Sequence, residues 1–166
     1  MYHSSVSILQ FLTFFALAAW LGSLIFFPVV ASVAFAVLPT AHLAGMVVRN
    51  SLDALHWIGL VAGLVFLISS LFYDRVVEGG FRPFRASHIA ILVMLSLTAV
   101  SEFRIIPRMD ALRAAAGEIA SLAPNSPVRV EFESLHARSV HLEGTILLLA
   151  VLVLFLTSRR FASVTA

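Results

Sequence analysis

The sequence has no cysteine and no lysine, and it carries little charge of either sign. Without cysteine, the chain cannot form disulfides, thiolate metal sites, iron–sulfur clusters or a cysteine nucleophile. Without lysine, it can form neither a Schiff base nor the lysine contact of a phosphate-binding loop. All 11 basic residues are arginines, and because they are scattered along the chain, the net charge of +2 does not indicate a nucleic-acid partner.

Charged residues make up 12% of the 166 residues and apolar residues make up 60%. Soluble domains have about 25% charged and about 45–50% apolar residues. The first charged side chain along the chain is Arg49. This composition predicts an integral membrane protein in contact with the lipid bilayer. Residues 1–11 contain no lysine or arginine, and the apolar run continues past signal length, so we expect the first apolar segment to be a retained span and not a cleaved signal.

Four segments are long and apolar enough to cross a bilayer core of about 30 Å. They predict an all-α membrane protein with one domain, an antiparallel bundle of four transmembrane helices. We expect the third span to stop at Pro107, because proline lacks the backbone donor of a continuing helix. The spans are expected at about residues 7–38, 54–73, 86–106 and 132–157 of the single domain 1–166.

A further helix is expected between the third and fourth spans, at about residues 108–121. Leu112, Ala115, Ala116 and Ile119 fall at i, i+3, i+4 and i+7 of this segment, which makes one apolar stripe. The pattern favours a short helix lying in the membrane interface. A soluble helix that caps the bundle is the alternative.

Four spans place both chain termini on one side of the membrane. Five arginines fall on that side, whereas three of the six on the other side look embedded at the ends of spans. Embedded residues count less, and the bias of five to three therefore favours cytoplasmic termini.

Polar residues within the spans are concentrated at one face of the membrane. A charge at mid-helix costs at least about 2.5–3.5 kcal/mol, so each such residue needs a partner or a purpose. The start of the second span, the end of the third and the start of the fourth must meet at the same face. The opposite half of the bundle is expected to be almost wholly apolar, with His88 near the start of the third span as the exception. The expected polar cluster or pocket comprises Asp53, His56, Glu102, Arg104, His136, Ser139 and Glu143.

The cluster has several interpretations that the sequence leaves open. One is a set of ion pairs and hydrogen bonds that only holds the helices together. Another is a site, either a proton or substrate relay or a divalent metal centre with His136, Glu143 and His56 as ligands. A haem between His56 and His136 is disfavoured, since neither histidine lies in the middle of a span.

Gly59 and Gly63 form a small-xxx-small pattern that permits close helix approach. The approach is expected within the chain, and a membrane-protein partner or a second copy of the chain is the alternative.

Several short motifs follow one another along the chain. They are Trp20-Leu21-Gly22, Leu55-His56-Trp57-Ile58-Gly59, Ile106-Pro107-Arg108-Met109 and Phe132-x-x-Leu135-His136-x-x-Ser139. Their order resembles the transmembrane-protein-205-like family of small four-span membrane proteins, over roughly residues 12–155. The chain departs from that family in having Glu143 and Ser101 where asparagine is common.

The resemblance implies a four-span protein of uncharacterised function, which we place in a bacterial inner membrane. The family has a distant likeness to the membrane domain of copper-resistance protein D, which keeps a metal ion among the expectations. We therefore expect a non-enzymatic membrane protein whose polar pocket binds or passes a metal ion or a small solute. The alternative is a structural subunit or assembly factor of a membrane complex, in which the polar cluster only staples the helices.

Overall fold

The computed structural model describes the backbone of residues 2–165 and the side chains of residues 4–162. Within this range all regular secondary structure is helical, and there is no strand. Five α-helices follow in order, with a π-helical turn at Ser101–Ile105 and a 3₁₀ turn at Ile119–Ser121. They are α1 (Tyr2–Val37), α2 (Ala41–Val77), α3 (Ala86–Val100), α4 (Ile106–Ala116) and α5 (Pro127–Thr165).

Four helical stretches in the described residues are long and apolar enough to cross a membrane: Ser4–Val37, Ala41–Val77, Ala86–Ala116 and Pro127–Ala162. The predicted all-α membrane fold with four spans is thus confirmed. The connections between the stretches are short, so neighbouring stretches run in opposite directions. α1 packs mainly on α2, and α3 packs mainly on α5.

The sequence predicted that the third span stops at Pro107, but the third helical stretch continues past this residue to Ala116. Just before this proline the helix widens into the π turn, in which the N–H of Ile106 bonds to the carbonyl of Ser101, five residues earlier. Pro107 then occupies one of the first positions of α4, where its missing N–H costs no established α-helical bond. The helix therefore runs on from α3 into α4.

The segment expected to be a separate helix over residues 108–121 is divided in the structure. Its first part belongs to α4, which ends before Gly117. Gly117 has a φ of 70°, a left-handed conformation that glycine adopts without strain and that ends the helix. Only Ile119–Ser121 follows as a 3₁₀ turn. The fourth span also begins earlier than expected, at Pro127, a residue well suited to the first turn of a helix.

The apolar core lies in the middle of the bundle, around the fully buried side chains of Trp20, Phe66, Ile91, Met94 and Ile146. Gly59 and Gly63 leave space for side chains of this core, because neither has a Cβ. A Cβ at Gly59 would collide with the indole of Trp20, and a Cβ at Gly63 would lie 2.6 Å from Cδ2 of Leu95. The close approach made by these glycines is therefore within the chain.

The bundle has two ends that differ in what they contain. The terminal end, as we call it, joins the start of α1, the end of α2, the start of α3 and the end of α5. The opposite end joins the end of α1, the start of α2, α4 and the start of α5. We call it the cavity end, because a cavity lies there.

Candidate functional site: a buried carboxylate–histidine–carboxylate triad beside a cavity

Three buried side chains meet toward the cavity end of the bundle. Nδ1 of His56 lies 2.7 Å from Oε2 of Glu102, and Nε2 lies 2.7 Å from Oε1 of Glu143. The side chain of His56 is fully buried, and those of Glu102 and Glu143 are 9% and 14% exposed. We call these three residues the triad. It joins α2, the π turn and α5.

The π turn helps to place Glu102 in the triad. An extra residue per turn shifts the direction of the side chains, and both Ser101 and Glu102 are buried there. π-helical turns inside α-helices occur frequently at functional sites. His56 lies on the buried face of α2 one turn before Gly59, and so the close packing around the glycines and the triad share one helix face.

The two short contacts of the triad account for two protons. A short contact between a ring nitrogen and a carboxylate oxygen requires one proton between the two atoms, since two lone pairs would repel each other. Either both protons are on the ring of His56, or one is on the ring and one on a glutamate. With no further proton on the outer carboxylate oxygens, both distributions give the triad the same formal charge of −1.

No arginine of the described residues forms an ion pair with either glutamate of the triad. Arg49 is nearby on α2, but it donates to Asp110 of α4 at 2.9 Å and lies 3.5 Å from Asp53. Arg104 was predicted to belong to the cluster, and its side chain is exposed instead. Of the expected polar cluster, His56, Glu102 and Glu143 form the triad, and Asp53 belongs to an arginine–aspartate group beside it.

A cavity of about 710 Å³ adjoins the triad. Its wall is formed by the second half of α1, the first half of α2, α4 with the loop after it, and the first half of α5. On α5 the stripe identified from the sequence faces this space, because Phe132, His136, Ser139 and Glu143 all line it. Glu143 therefore connects the cavity with the triad.

Most of the cavity wall is apolar, with aromatic rings from Phe27, Phe35 and Phe132. The guanidinium of Arg113 lies over the ring of Phe132, 4.8 Å from its centroid. Three arginines line the cavity, and each contacts a carboxylate: Arg49 pairs with Asp53 and Asp110, Arg113 with Asp110, and Arg129 with Glu133. The cavity wall thus combines a mostly apolar surface with paired charges.

The geometry gives the metal hypothesis no support. Across the described residues, no group of three histidine, aspartate or glutamate side chains is arranged to hold a metal ion. Both ring nitrogens of His56 contact carboxylates, so neither is free to ligate a metal or a haem. His136 is exposed and lines the cavity, and Ser139 is buried in its wall.

The expectation that the terminal end is almost wholly apolar was wrong. Asp74 of α2 is fully buried there and pairs with Arg85 at the start of α3 and with Arg160 of α5. Arg160 also donates to Ser70 at 2.9 Å and lies 4.6 Å from the ring centroid of Tyr73. His88 belongs to the same group, with Nε2 2.8 Å from Oγ of Ser70.

The sequence did contain a signal for this second group. Ser70 and Asp74 are four residues apart and therefore share one face of α2. The expected spans ended at residues 73 and 157, whereas α2 extends to Val77 and α5 to Thr165. Residues treated as loop or membrane-surface charges are consequently part of long helices that pack against each other.

One family model matches residues 15–118 of this chain, and it describes a domain of unknown function, DUF4149. The chain belongs to the DUF4149 family. His56 and Glu102 lie within the matched residues, and Glu143 lies beyond them. Comparison with curated proteins and with solved structures found no match to this member of the DUF4149 family.

Proposed function

We propose that this DUF4149 protein binds a small, largely apolar solute in the cavity, where Glu143 connects the cavity wall to the triad. The observation that carries the proposal is the position of Glu143, which lines a cavity of about 710 Å³ and contacts the fully buried His56. A buried ionisable group inside a membrane bundle is costly, and such groups typically mark a functional path or pocket.

The size and lining of the cavity suit a small molecule. Ligand sites commonly occupy about 300–1,000 Å³, with mostly apolar walls and a few polar groups that fix orientation. The cavity lining on α5 extends from Arg129 to Leu147. At 1.5 Å per residue, these 18 steps correspond to about 27 Å along the helix. An elongated molecule with an apolar body matches this shape.

Gly144 offers a direct test, because it lines the cavity and a Cβ there would meet no atom within 4 Å. A Gly144→Leu side chain would extend into open space and occupy part of the cavity without displacing the bundle. Gly22 on α1 is a matched control: a Cβ there also meets nothing within 4 Å, and Gly22 does not line the cavity. Both substitutions add the same apolar side chain to a helix.

The measurement is binding of radiolabelled 1-decanol to purified protein in a neutral detergent, with thermal unfolding recorded for each variant. We expect saturable binding to the wild type and to Gly22→Leu, and binding at least tenfold weaker in Gly144→Leu with an unchanged unfolding temperature. Equal uptake by all three proteins would reflect the micelle and would contradict the proposal.

A structural role is the competing proposal, and it also has a specific observation in its favour. The triad bridges three helical segments, as a set of contacts that staples a bundle would. In that case the protein is a subunit or assembly factor of a membrane complex, and the cavity is incidental. Cross-linking in intact membranes would then recover a stoichiometric partner, and Gly144→Leu would leave both decanol uptake and the partner unaffected.

The membrane and the orientation are proposed on charge and motif order. We infer a bacterial inner membrane with cytoplasmic termini from the sequence-based count of five arginines to three. The structure reduces this bias, because Arg160 is largely buried in the bundle and Arg104 is exposed. The relation to the transmembrane-protein-205-like family is likewise proposed on the motifs around Trp20, His56, Pro107 and His136. A C-terminal green fluorescent protein fusion tests the orientation: bright cells support cytoplasmic termini, and dark cells with a full-length fusion contradict them.

A further inference from the structure

The charged groups around the cavity indicate the charge of the solute that it binds. This inference rests on the proposed solute binding. We infer that the solute is an amphipathic cation, a molecule with an apolar body and a protonated amine or a quaternary ammonium group. Three features of the described residues lead to this ligand class: the charge balance among the arginines and carboxylates of the cavity wall, the charge of the triad, and the aromatic wall.

The arginines that line the cavity are matched by carboxylates and therefore do not make the cavity an anion site. Arg49 and Arg113 share Asp110, Arg49 also contacts Asp53, and Arg129 contacts Glu133. These are three cations and three carboxylates, so their formal charges cancel. Glu118 also lines the cavity and adds a negative charge.

With only the two protons of its short contacts, the triad carries a formal charge of −1 that no described arginine balances through an ion pair. Arg49 pairs with Asp53 and Asp110 and interacts with Glu102 only at longer range. Its members are largely or fully buried, so water screens this charge weakly. Oε2 of Glu143 is buried without a hydrogen-bond partner among the described residues. A positive group in the cavity beside Glu143 would lower the free energy of the buried charge, whereas an anionic group would raise it.

The aromatic wall suits a cation as well. An aromatic ring attracts a cation located over its face, by about 0.5–1 kcal/mol at exposed sites and about 2 kcal/mol or more when water is excluded. Phe27, Phe35 and Phe132 all contribute to the wall, and the guanidinium of Arg113 already occupies a position over Phe132. Within the described residues, neither Phe27 nor Phe35 has an arginine side chain over its ring.

A series of ligands that share one alkyl chain tests the charge directly. Radiolabelled decyltrimethylammonium is cationic, 1-decanol is neutral and decanoate is anionic. We expect decyltrimethylammonium to bind the wild type at least tenfold more tightly than decanol, and decanoate to bind most weakly. Gly144→Leu should abolish the saturable component for all three ligands, which corrects each measurement for partition into the micelle.

The triad is tested with Glu143→Gln, a substitution that keeps the size of the side chain and its ability to hydrogen-bond with Nε2 of His56. This variant should bind decyltrimethylammonium no more tightly than decanol. Glu131→Gln is the matched control: Glu131 is on the same helix, pairs with Arg108 and does not line the cavity. The Glu131→Gln variant should keep the tenfold preference for decyltrimethylammonium over decanol. Unfolding temperatures verify that both variants fold.

The outcomes separate this inference from the proposed function. If decanol and decyltrimethylammonium bind equally well and Gly144→Leu blocks both, the cavity binds solutes but the charge assignment is wrong. If decanoate binds most tightly, the arginines set the specificity and the inference is overturned. If no ligand shows binding that Gly144→Leu removes, both the proposed function and the inference fail.

Discussion

Asp74 on α2 accepts a charge-assisted hydrogen bond from Arg160 on α5, although 86 residues separate them along the chain. The carboxylate is fully buried, and only 10% of the arginine side chain is exposed. The pair lies at the terminal end of the bundle, away from the cavity. Two further helices contact this pair of α2 and α5. Gln10 of α1 donates to Tyr73, the neighbour of Asp74, and Arg85 at the start of α3 pairs with Asp74 itself.

Removal of one partner should therefore destabilise the terminal end strongly. We expect Arg160→Leu to lower the free energy of unfolding by about 3–5 kcal/mol, because it leaves a buried carboxylate with less compensation. The neighbouring Arg159→Leu is the control, since Arg159 is exposed and stacks on Phe155. Chemical unfolding in detergent measures both. Similar values for the two variants would show that the pair does not hold the terminal end.

The triad should be sensitive to loss of its histidine. His56→Leu removes the group that shares protons with two buried glutamates, so the carboxylates are left without a donor between them. We expect a loss of about 3–5 kcal/mol in the free energy of unfolding. Adding Glu102→Gln and Glu143→Gln to His56→Leu should recover part of this loss.

The exposed His136 is the matched control for that experiment. His136→Leu should change the free energy of unfolding by less than about 0.5 kcal/mol, as is usual for exposed positions. Unfolding curves of the two leucine variants, recorded side by side, give the comparison. A His56→Leu protein as stable as His136→Leu would mean that the triad contributes no stability.

Gly59 is expected to tolerate no side chain. The Cβ of Gly59→Ala would overlap the buried indole of Trp20, and we expect a cost of about 1–3 kcal/mol from overpacking. Gly22→Ala should instead be neutral or stabilising by up to about 1 kcal/mol, since alanine favours a helix and the space there is open. Thermal unfolding compares the two. In the double variant Gly59→Ala/Trp20→Phe, the smaller ring should make the combined loss less than the sum of the single losses.

Two buried threonines should respond in opposite directions to the same substitution. Oγ1 of Thr13 lies 2.9 Å from Oγ of Ser69, whereas Oγ1 of Thr98 is buried without a hydrogen-bond partner among the described residues. Thr13→Val removes a contact between α1 and α2, and hydrogen bonds of this kind are worth about 0.6 kcal/mol on average. Thr98→Val removes an unsatisfied hydroxyl and should raise stability by about 1 kcal/mol. The prediction is wrong if unfolding experiments show destabilisation by Thr98→Val.

Helix periodicity predicted part of the candidate site well. Phe132, His136, Ser139 and Glu143 were placed on one face of a helix by their spacing, and all four line the cavity. The prediction could not tell which residues of this stripe contact other helices. Glu143 reaches His56, while His136 remains exposed, because that difference depends on how α5 is rotated against α2.

Hydropathy alone misjudged the ends of the helices. Charged residues such as Asp74 and Arg160 lowered the apolar content near the ends of the second and fourth spans, and so the expected spans stopped short of them. In the folded protein these residues neutralise each other across helices and remain inside the bundle. Opposite charges on different segments cannot be paired from one sequence, since their distance is set by tertiary packing.

The sequence by itself determined that this is a four-span, all-α membrane protein, because composition and the length of apolar segments depend only on local residue order. It also determined which residues share a helix face, since 3.6 residues per turn is a local property. Tertiary structure alone decided that His56 contacts both Glu102 and Glu143, that a π turn carries the chain past Pro107, and that a cavity adjoins Glu143. Each of these depends on the depth and rotation of one helix relative to another, which packing of the whole bundle fixes.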